Sequence, residues 1–336
     1  MNKLERIQAT IQGKETDRVP CSVWMHLSEV DQDPISLAQR LVEDNKKYDY
    51  DFIKLMPFGA YTTHDWGAQI KFYCDPYKEP VIINPGIQSS DDYLKMEPLA
   101  PTYGTWGKTL QLTQEVAKII DPTVPFIQTV FSPLTTLKKL AGDRLKSDLK
   151  EHPEKVHQAL AVITVTTIDF VKANIEAGVS GFFLGSQTAS YDYMSDVEYA
   201  EFCKPYDFLV CNAFGNDTIL NVAHMHGSNI MFDIVKDYPV HALNWHDRDT
   251  EPSLKEAKQM TDKVLLGGIH EVPMIIDGAL SYKSFLSSHS ADEVEEHVRQ
   301  AIESAGRDRL IIGPGCVADP RTSEANLHAV RKACGN

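Results

Sequence analysis

Short apolar runs alternate with longer segments of helical period along most of the 336 residues. This alternation predicts repeated strand–helix units around a parallel sheet. Eight runs have the length and composition of buried strands, namely 19–25, 52–56, 126–130, 181–184, 219–223, 242–245, 264–267 and 310–312. Eight such strands predict a (β/α)8 TIM barrel. An open, doubly wound sheet is the alternative, because a strand count does not show closure.

Segments of helical period lie between these runs and complete the units. They cover 35–47, 105–120, 133–141, 156–177, 196–214, 229–236, 254–260 and 291–305, with a terminal helix over 323–334. Residues 1–13 predict a short amphipathic helix that extends the barrel at its N-terminus, and 66–101 fits neither period. We therefore expect one barrel domain over 1–336 with an excursion at 66–101 after the second strand, and loops of that length tend to be functional.

Composition and charge narrow the class of partner. The chain is 43% apolar and 24% charged, so it can bury a large core without covalent staples. Its net charge of −14 disfavours nucleic acid and anionic membranes as partners. No apolar run approaches membrane-spanning length. Six cysteines without framework spacing predict reduced thiols in a cytoplasmic protein: Cys21, Cys74, Cys203, Cys211, Cys316 and Cys334.

Imidazoles follow the predicted strands at the points where the strands end. In a barrel these carboxyl ends form one face, which carries the catalytic groups. The residues at these exits are His26 after the first strand, His64 and Asp65 after the second, His224 and His226 after the fifth, His246 and Asp247 after the sixth, His270 and Glu271 after the seventh, and Cys316 after the eighth.

A metal site is the sharpest hypothesis among these groups. His224 and His226 are two residues apart at a strand end, so both side chains leave on the same side. Cys316 ends the turn 313–316 at the same face. Two imidazoles, one thiolate and an open position describe a catalytic zinc site. The alternative is that these are ordinary polar residues at a surface, with His224 bonding a backbone carbonyl.

Three further side chains are candidates for catalytic roles. His246 and His270 are expected either to support the metal ligands, one of them as a fourth ligand, or to be hydrogen-bonded histidines of the rim. Tyr193, with Tyr191 and Asp192, follows the fourth strand and faces the expected mouth. These residues either shape a substrate pocket or pack a loop.

Several motifs, taken jointly, resemble landmarks of the uroporphyrinogen decarboxylase superfamily. They are RVP at 18–20, FSPLT at 131–135, FCKPY at 202–206, HMHG at 224–227, ALNW at 242–245, VLLGGI at 264–269 and GPGC at 313–316, followed by Pro320, Glu324 and Asn326. The resemblance covers most of the chain and implies a (β/α)8 barrel. The superfamily contains cofactor-free decarboxylases of an octa-anionic tetrapyrrole and zinc-dependent corrinoid:thiol methyltransferases.

The decarboxylase branch fits the sequence poorly. Its arginine-rich signature matches 24–40, where only Arg40 is a strong base. Its catalytic aspartate falls at 56–58, its tyrosine at Lys138 or Lys139, and its late histidine at Pro314, so none of the expected groups is present. Desolvating eight carboxylates without arginines carries a heavy electrostatic penalty.

The methyltransferase branch fits better. Its His-x-Cys-Gly and later Gly-Cys bind zinc, and His224 and Cys316 match the first and last of these ligands. His226 stands where the branch has cysteine, and histidine is also a zinc ligand.

The resemblance therefore implies a zinc enzyme that transfers a methyl group, carried by a corrinoid on a partner protein, to a small thiol. The alternatives are a cofactor-free uroporphyrinogen decarboxylase and a catalytically silent barrel that binds a small ligand or a corrinoid protein. The oligomeric state stays open, with a homodimer among the options.

Overall fold

The computed structural model of the chain describes residues 1–73, 75–276 and 279–335; Cys74, expected to be a reduced thiol, lies outside them. The five described cysteines are free. The strands are β1 Ile53–Lys54, β2 Gln69–Lys71, β3 Val81–Asn84, β4 Phe126–Phe131, β5 Gly181–Ser186, β6 Val222–Met225, β7 Ala242–Trp245, β8 Val264–Ile269, β9 Glu271–Ile276, β10 Ala279–Ser284 and β11 Leu310–Pro314.

Seven of these strands form one parallel sheet in the order β1-β4-β5-β6-β7-β8-β11. Residues 19–25, predicted as the first strand, make only isolated bridges, since Pro20 lacks a ladder donor. Residues 19–25 nevertheless close the barrel between β11 and β1. Ser22 N donates to Ile312 O at 2.9 Å on one side, and Asp51 N donates to Cys21 O at 2.8 Å on the other. The predicted (β/α)8 barrel is confirmed, and the open sheet is excluded.

The helices cover the outside of the barrel and one of its ends. They are α1 Lys3–Ile11, α2 Pro34–Tyr48, α3 Gly104–Ile119, α4 Pro133–Ala141, α5 Leu145–Glu151, α6 Pro153–Glu176, α7 Asp196–Phe202, α8 Lys204–Ala213, α9 Phe232–Val235, α10 Leu254–Ala257, α11 Phe285–Ser288, α12 Ala291–Ala305 and α13 Glu324–Ala333. The helix predicted over 196–214 is broken at Cys203, because Pro205 cannot donate within a continuous helix. Neither α5 nor α11 was predicted.

The excursion at 66–101 is structured. It contains the antiparallel pair β2–β3 and a 3-10 helix over Ser90–Lys95. Tyr93 is buried, and its hydroxyl donates to Asp148 Oδ2 at 2.7 Å. The segment is therefore anchored to the barrel wall rather than loose in solvent. A second insertion, the hairpin β9–β10, follows β8 and was not predicted.

The helix α6 corrects one expectation from the sequence. Its 24 residues are long enough to cross a membrane, and an 18-residue window within it is apolar enough, with a mean hydropathy of 1.2. Half of that window is buried, and α6 packs against α3, α4 and α8. A core helix of a soluble protein has the same length and composition, so α6 is weak evidence for a membrane span.

Apolar side chains fill the inside of the barrel below the site. Trp24, Phe52, Ile127, Phe183 and Leu266 belong to one buried cluster that α1 closes with Ile7. A filled lower barrel is a core and not a channel. The polar groups at the carboxyl ends of the strands therefore lie above a packed apolar core.

Candidate metal centre

Four ligand groups converge where the barrel strands end. His224 lies in β6 and His226 one residue beyond it, His246 directly follows β7, and Cys316 comes two residues after β11. One ligand atom from each lies within 4.8 Å of all the others. Cys316 Sγ is 3.6 Å from His226 Nδ1. Ligand atoms around a tetrahedral zinc ion are about 3.3–3.8 Å apart, so small side-chain shifts suffice to close the group on an ion.

Asn244 determines which nitrogen of His224 is free. The side-chain nitrogen of Asn244 donates to Leu266 O at 2.7 Å and to Pro314 O at 3.1 Å. Its Oδ1 therefore faces His224 Nδ1, at 2.6 Å, as the acceptor. This arrangement assigns the imidazole proton to Nδ1 and leaves the Nε2 lone pair of His224 available.

The buried atoms of this group fit a metal ion. His224 and His246 are 6% and 3% exposed, and the Nε2 atom of each has no hydrogen-bond partner among the described atoms. Buried polar atoms without partners are uncommon and call for an explanation such as an absent ion. The donor set of three imidazoles and one thiol is one that zinc accepts.

Burial also keeps the imidazoles in their ligating form. It lowers the pKa of His224 well below its usual range, that of His226 to about 3 and that of His246 to about 4. The imidazoles are therefore neutral at pH 7, as metal ligands must be. Burial raises the pKa of the Cys316 thiol to about 12, so without an ion the sulfur keeps its proton. A metal deprotonates such a coordinating thiol.

A cavity of about 470 Å³ opens beside the metal group. His224, His226 and Cys316 line it, whereas His246 is not among its described lining residues. The excursion contributes Glu79 through Ile82 to its wall. The other aromatic and apolar lining residues include Trp24, Met56, Pro57, Phe131 and Phe183. The expectation of a functional excursion thus has a structural basis, because the segment helps to enclose the cavity.

The cavity is also lined by lysines that the sequence pattern did not single out. Lys54, Lys138 and Lys139 line it. Burial lowers the pKa of Lys54 and of Lys139 to about 7. The signal that could have revealed Lys54 was a charged residue in the middle of the predicted buried strand 52–56.

The sequence model of one family covers almost the whole chain: uroporphyrinogen decarboxylase (URO-D) matches residues 2–336. The chain belongs to the URO-D family. The resemblance stated from the motifs is thereby confirmed.

Two curated relatives of this URO-D family chain carry a methyltransferase name. The methylcobamide:CoM methyltransferase MtbA of Methanosarcina mazei is 21% identical over 262 residues, which cover 78% of this chain and 73% of the relative. The protein of the same name from Methanosarcina acetivorans is 19% identical over 263 residues, with the same coverage.

Solved structures show the same fold. A methyltransferase from Methanosarcina mazei superimposes with a TM-score of 0.79 at 17% identity, covering 99% of this chain and 98% of that one. A B12-independent methionine synthase from Shewanella superimposes with a TM-score of 0.57 at 12% identity, covering 94% and 92%. At these identities the likeness shows the fold alone.

The remaining predicted residues of this URO-D family chain lie apart from the four-ligand group. His270 Nε2 is 3.3 Å from Asp249 Oδ1. The Nζ of Lys138 lies over the ring of Tyr193, 4.3 Å from the ring centroid. Neither residue is among the described residues lining the cavity. Asp65 accepts from Thr105 N at 2.7 Å at the start of α3, which is a structural role. His26 lines the cavity and faces Glu79 at 3.2 Å.

Proposed function

We propose that this chain is a corrinoid-linked methyltransferase that transfers a methyl group to a thiol, with a zinc ion held by His224, His226 and Cys316. His246 is a fourth candidate ligand, which a thiol substrate would replace or join on the zinc ion. The observation that carries the proposal is the convergence of these four ligand atoms beside an open cavity. The names of the two curated relatives supply the reaction class.

The residues of the site determine its charge. A zinc ion bound here would act as a Lewis acid and lower the pKa of a bound thiol. The three imidazoles add no charge, and Cys316 contributes one negative charge once it ionises. The His-x-Cys-Gly and Gly-Cys motifs of the methyltransferase branch provide two thiolates, one more than this site. The site of this chain therefore favours ionisation of the thiol more strongly and leaves the sulfur less nucleophilic.

The cavity supports a small acceptor and an external methyl donor. A volume of about 470 Å³ suits a small organic ligand. A corrinoid carried by another protein is too large to enter with its carrier, so it would present its methyl group at the cavity mouth. His224, His226 and Cys316 face the same cavity, which would place the acceptor thiol between the metal group and that mouth.

The same cavity argues against uroporphyrinogen as the substrate. Among its described lining residues there is no arginine. Met56 and Pro57 line it where the decarboxylases have their catalytic aspartate. No acidic group at that position is available to interact with a pyrrole, and three lysines do not match eight carboxylates.

A methyl-transfer assay tests the proposal. Zinc-loaded protein is mixed with methylcobalamin and a small thiol, and the loss of the methylcobalamin absorbance is followed together with formation of the thioether. We expect transfer by the wild type, and loss of both zinc and transfer in Cys316→Ala and His224→Ala. Cys211→Ala, at a buried thiol outside the cavity, is the matched control and should retain both.

Two results would contradict the proposal. One is methyl transfer by zinc-free protein at the wild-type rate. The other is release of carbon dioxide and coproporphyrinogen from uroporphyrinogen at an enzymatic rate of about 1 per second or more, which would identify a decarboxylase.

A further inference from the structure

Three ammonium groups face the cavity from two elements of the barrel. Lys54 lies in β1, and Lys138 and Lys139 lie in the last turn of α4. The only carboxylate among the described lining residues is that of Glu79, and its Oε2 is 3.2 Å from His26 Nε2. When the three lysines are protonated, the cavity is therefore cationic within a chain whose net charge is −14.

Lys54 is the most constrained of the three. It is 4% exposed, and its Nζ has Met56 Sδ as its only hydrogen-bond partner among the described residues, at 2.7 Å. A thioether is a weak acceptor, and an ammonium has three donors. The same Nζ lies 4.4 Å from the ring centroid of Phe183. Aromatic faces attract a cation but do not replace an anion or water.

Lys139 and Lys138 are only partly satisfied as well. Lys139 Nζ donates to Gly59 O at 2.6 Å and lies 3.6 Å from the ring centroid of Phe131. Lys138 Nζ donates to Gln187 O at 3.2 Å. Among the described residues, Glu79 is the carboxylate close enough to Lys139 to offset part of the lowering of its pKa by burial. Each lysine Nζ thus retains N–H donors that can form hydrogen bonds with a ligand in the cavity.

We propose that Lys54 and Lys139, with Lys138 beside them, form a subsite for the anionic end of a small organic acid, a carboxylate or a sulfonate. Burying three lysine side chains beside a single carboxylate among the described lining residues, that of Glu79, is costly, and a bound anion lowers that cost. Lysine binds such groups as a point charge, so both head groups are accommodated.

The subsite lies within reach of the metal group. The ring of His224 is 5.4 Å from that of Phe183, on whose face the Lys54 ammonium lies. The distance from Lys54 Nζ to the centroid of the His224 ring is therefore at most the sum of 5.4 Å and 4.4 Å. On the proposed function, on which this step rests, the substrate is a short thiol whose sulfur lies at the metal group and whose anionic end lies at Lys54.

Binding of small anions to chelator-treated protein tests the subsite without metal or methyl transfer. Propionate and ethanesulfonate are titrated calorimetrically, with neutral propionamide as the matched ligand. We expect both anions to bind, and each of Lys54→Met and Lys139→Met to weaken binding by about tenfold or more. Lys172→Met, at an exposed position of α6, should bind as the wild type does.

A stability measurement separates ligand binding from a structural role. Among the described residues, the Nζ of Lys54 contacts only the Met56 thioether and aromatic faces, so removing its desolvated charge should leave the thermal midpoint of Lys54→Met at or above that of the wild type. The inference is overturned if neither anion binds the wild type, if propionamide binds as tightly, or if both variants retain wild-type affinity to within about twofold. Loss of methyl transfer alone would count only against the proposed function, because these titrations need neither zinc nor a corrinoid.

Discussion

Asn244→Ala is the substitution that tests the architecture of the metal group most informatively. Asn244 is 0% exposed and is not one of the four candidate metal ligands. It accepts from His224 Nδ1 at 2.6 Å and donates to Leu266 O and Pro314 O. If these bonds hold the Nε2 lone pair toward the ion, removing the amide frees the imidazole to rotate and to change tautomer.

The expected effects follow from these three hydrogen bonds. Loss of a partner that orients a metal-ligating histidine weakens metal affinity by about 10–100-fold, or about 1.4–2.7 kcal/mol. Two buried carbonyls also lose their donor, and each costs about 1–3 kcal/mol of folding stability. Zinc affinity is measured by competition with a chromogenic chelator, and the free energy of unfolding by urea titration of the metal-free protein.

Asn221→Ala is the matched control for this variant. Asn221 is 3% exposed, its Oδ1 accepts from Phe182 N, and its amide donates to Thr218 Oγ1, all outside the metal group. We expect it to lower stability and to leave zinc affinity unchanged. If Asn244→Ala keeps wild-type zinc affinity while His224→Ala loses it, the reasoning from tautomer and orientation is refuted.

Three further predictions concern other parts of the chain. Burial raises the pKa of Asp207 to about 6, so the folded state holds this proton more tightly and the free energy of unfolding falls as pH rises from about 4 to about 6. Asp207→Asn should remove that dependence and add roughly 1–3 kcal/mol at pH 7, and urea titrations with an unchanged pH dependence would contradict this. His226→Cys should retain zinc and shift the pH profile of methyl transfer upward, because a second thiolate cancels positive charge; an unshifted profile would count against His226 as a ligand. Gly268 has a φ of 97°, and a Cβ added there would lie 2.9 Å from Ala301 Cβ, whereas a Cβ added at Gly215 meets open space. Gly268→Ala should therefore lower the free energy of unfolding more than Gly215→Ala, and equal urea midpoints would show this steric reasoning to be wrong.

Apolar periodicity predicted most of the barrel because its signal is local. The strand over 242–245 and the helices over 133–141 and 291–305 have the predicted bounds. The predicted first strand, 19–25, deviates because its pairing is limited to isolated bridges at Cys21 and Met25, and Pro20 has no ladder donor. The hairpin β9–β10 was missed because His270 and Glu271 interrupt the apolar run after β8, and a proline such as Pro273 argues against a strand.

The sequence predicted parts of the site that depend on topology alone. The carboxyl ends of parallel strands meet at one face, so His224, His226 and Cys316 could be expected together although 90 residues separate the last two. The roles of Asn244 and Lys54 depend instead on contacts with neighbouring strands, such as the carbonyls of Leu266 and Pro314. No spacing along the chain reveals these contacts.

Metal analysis combined with zinc X-ray absorption tests the central claim most directly. We predict about one zinc per chain, a nitrogen shell at about 2.0 Å and one sulfur at about 2.3 Å, with a second sulfur appearing when a thiol is added. Protein that takes up no stoichiometric zinc even when zinc is supplied, or whose zinc has no sulfur ligand, would contradict the assignment of Cys316 and the thiol-activating role built on it.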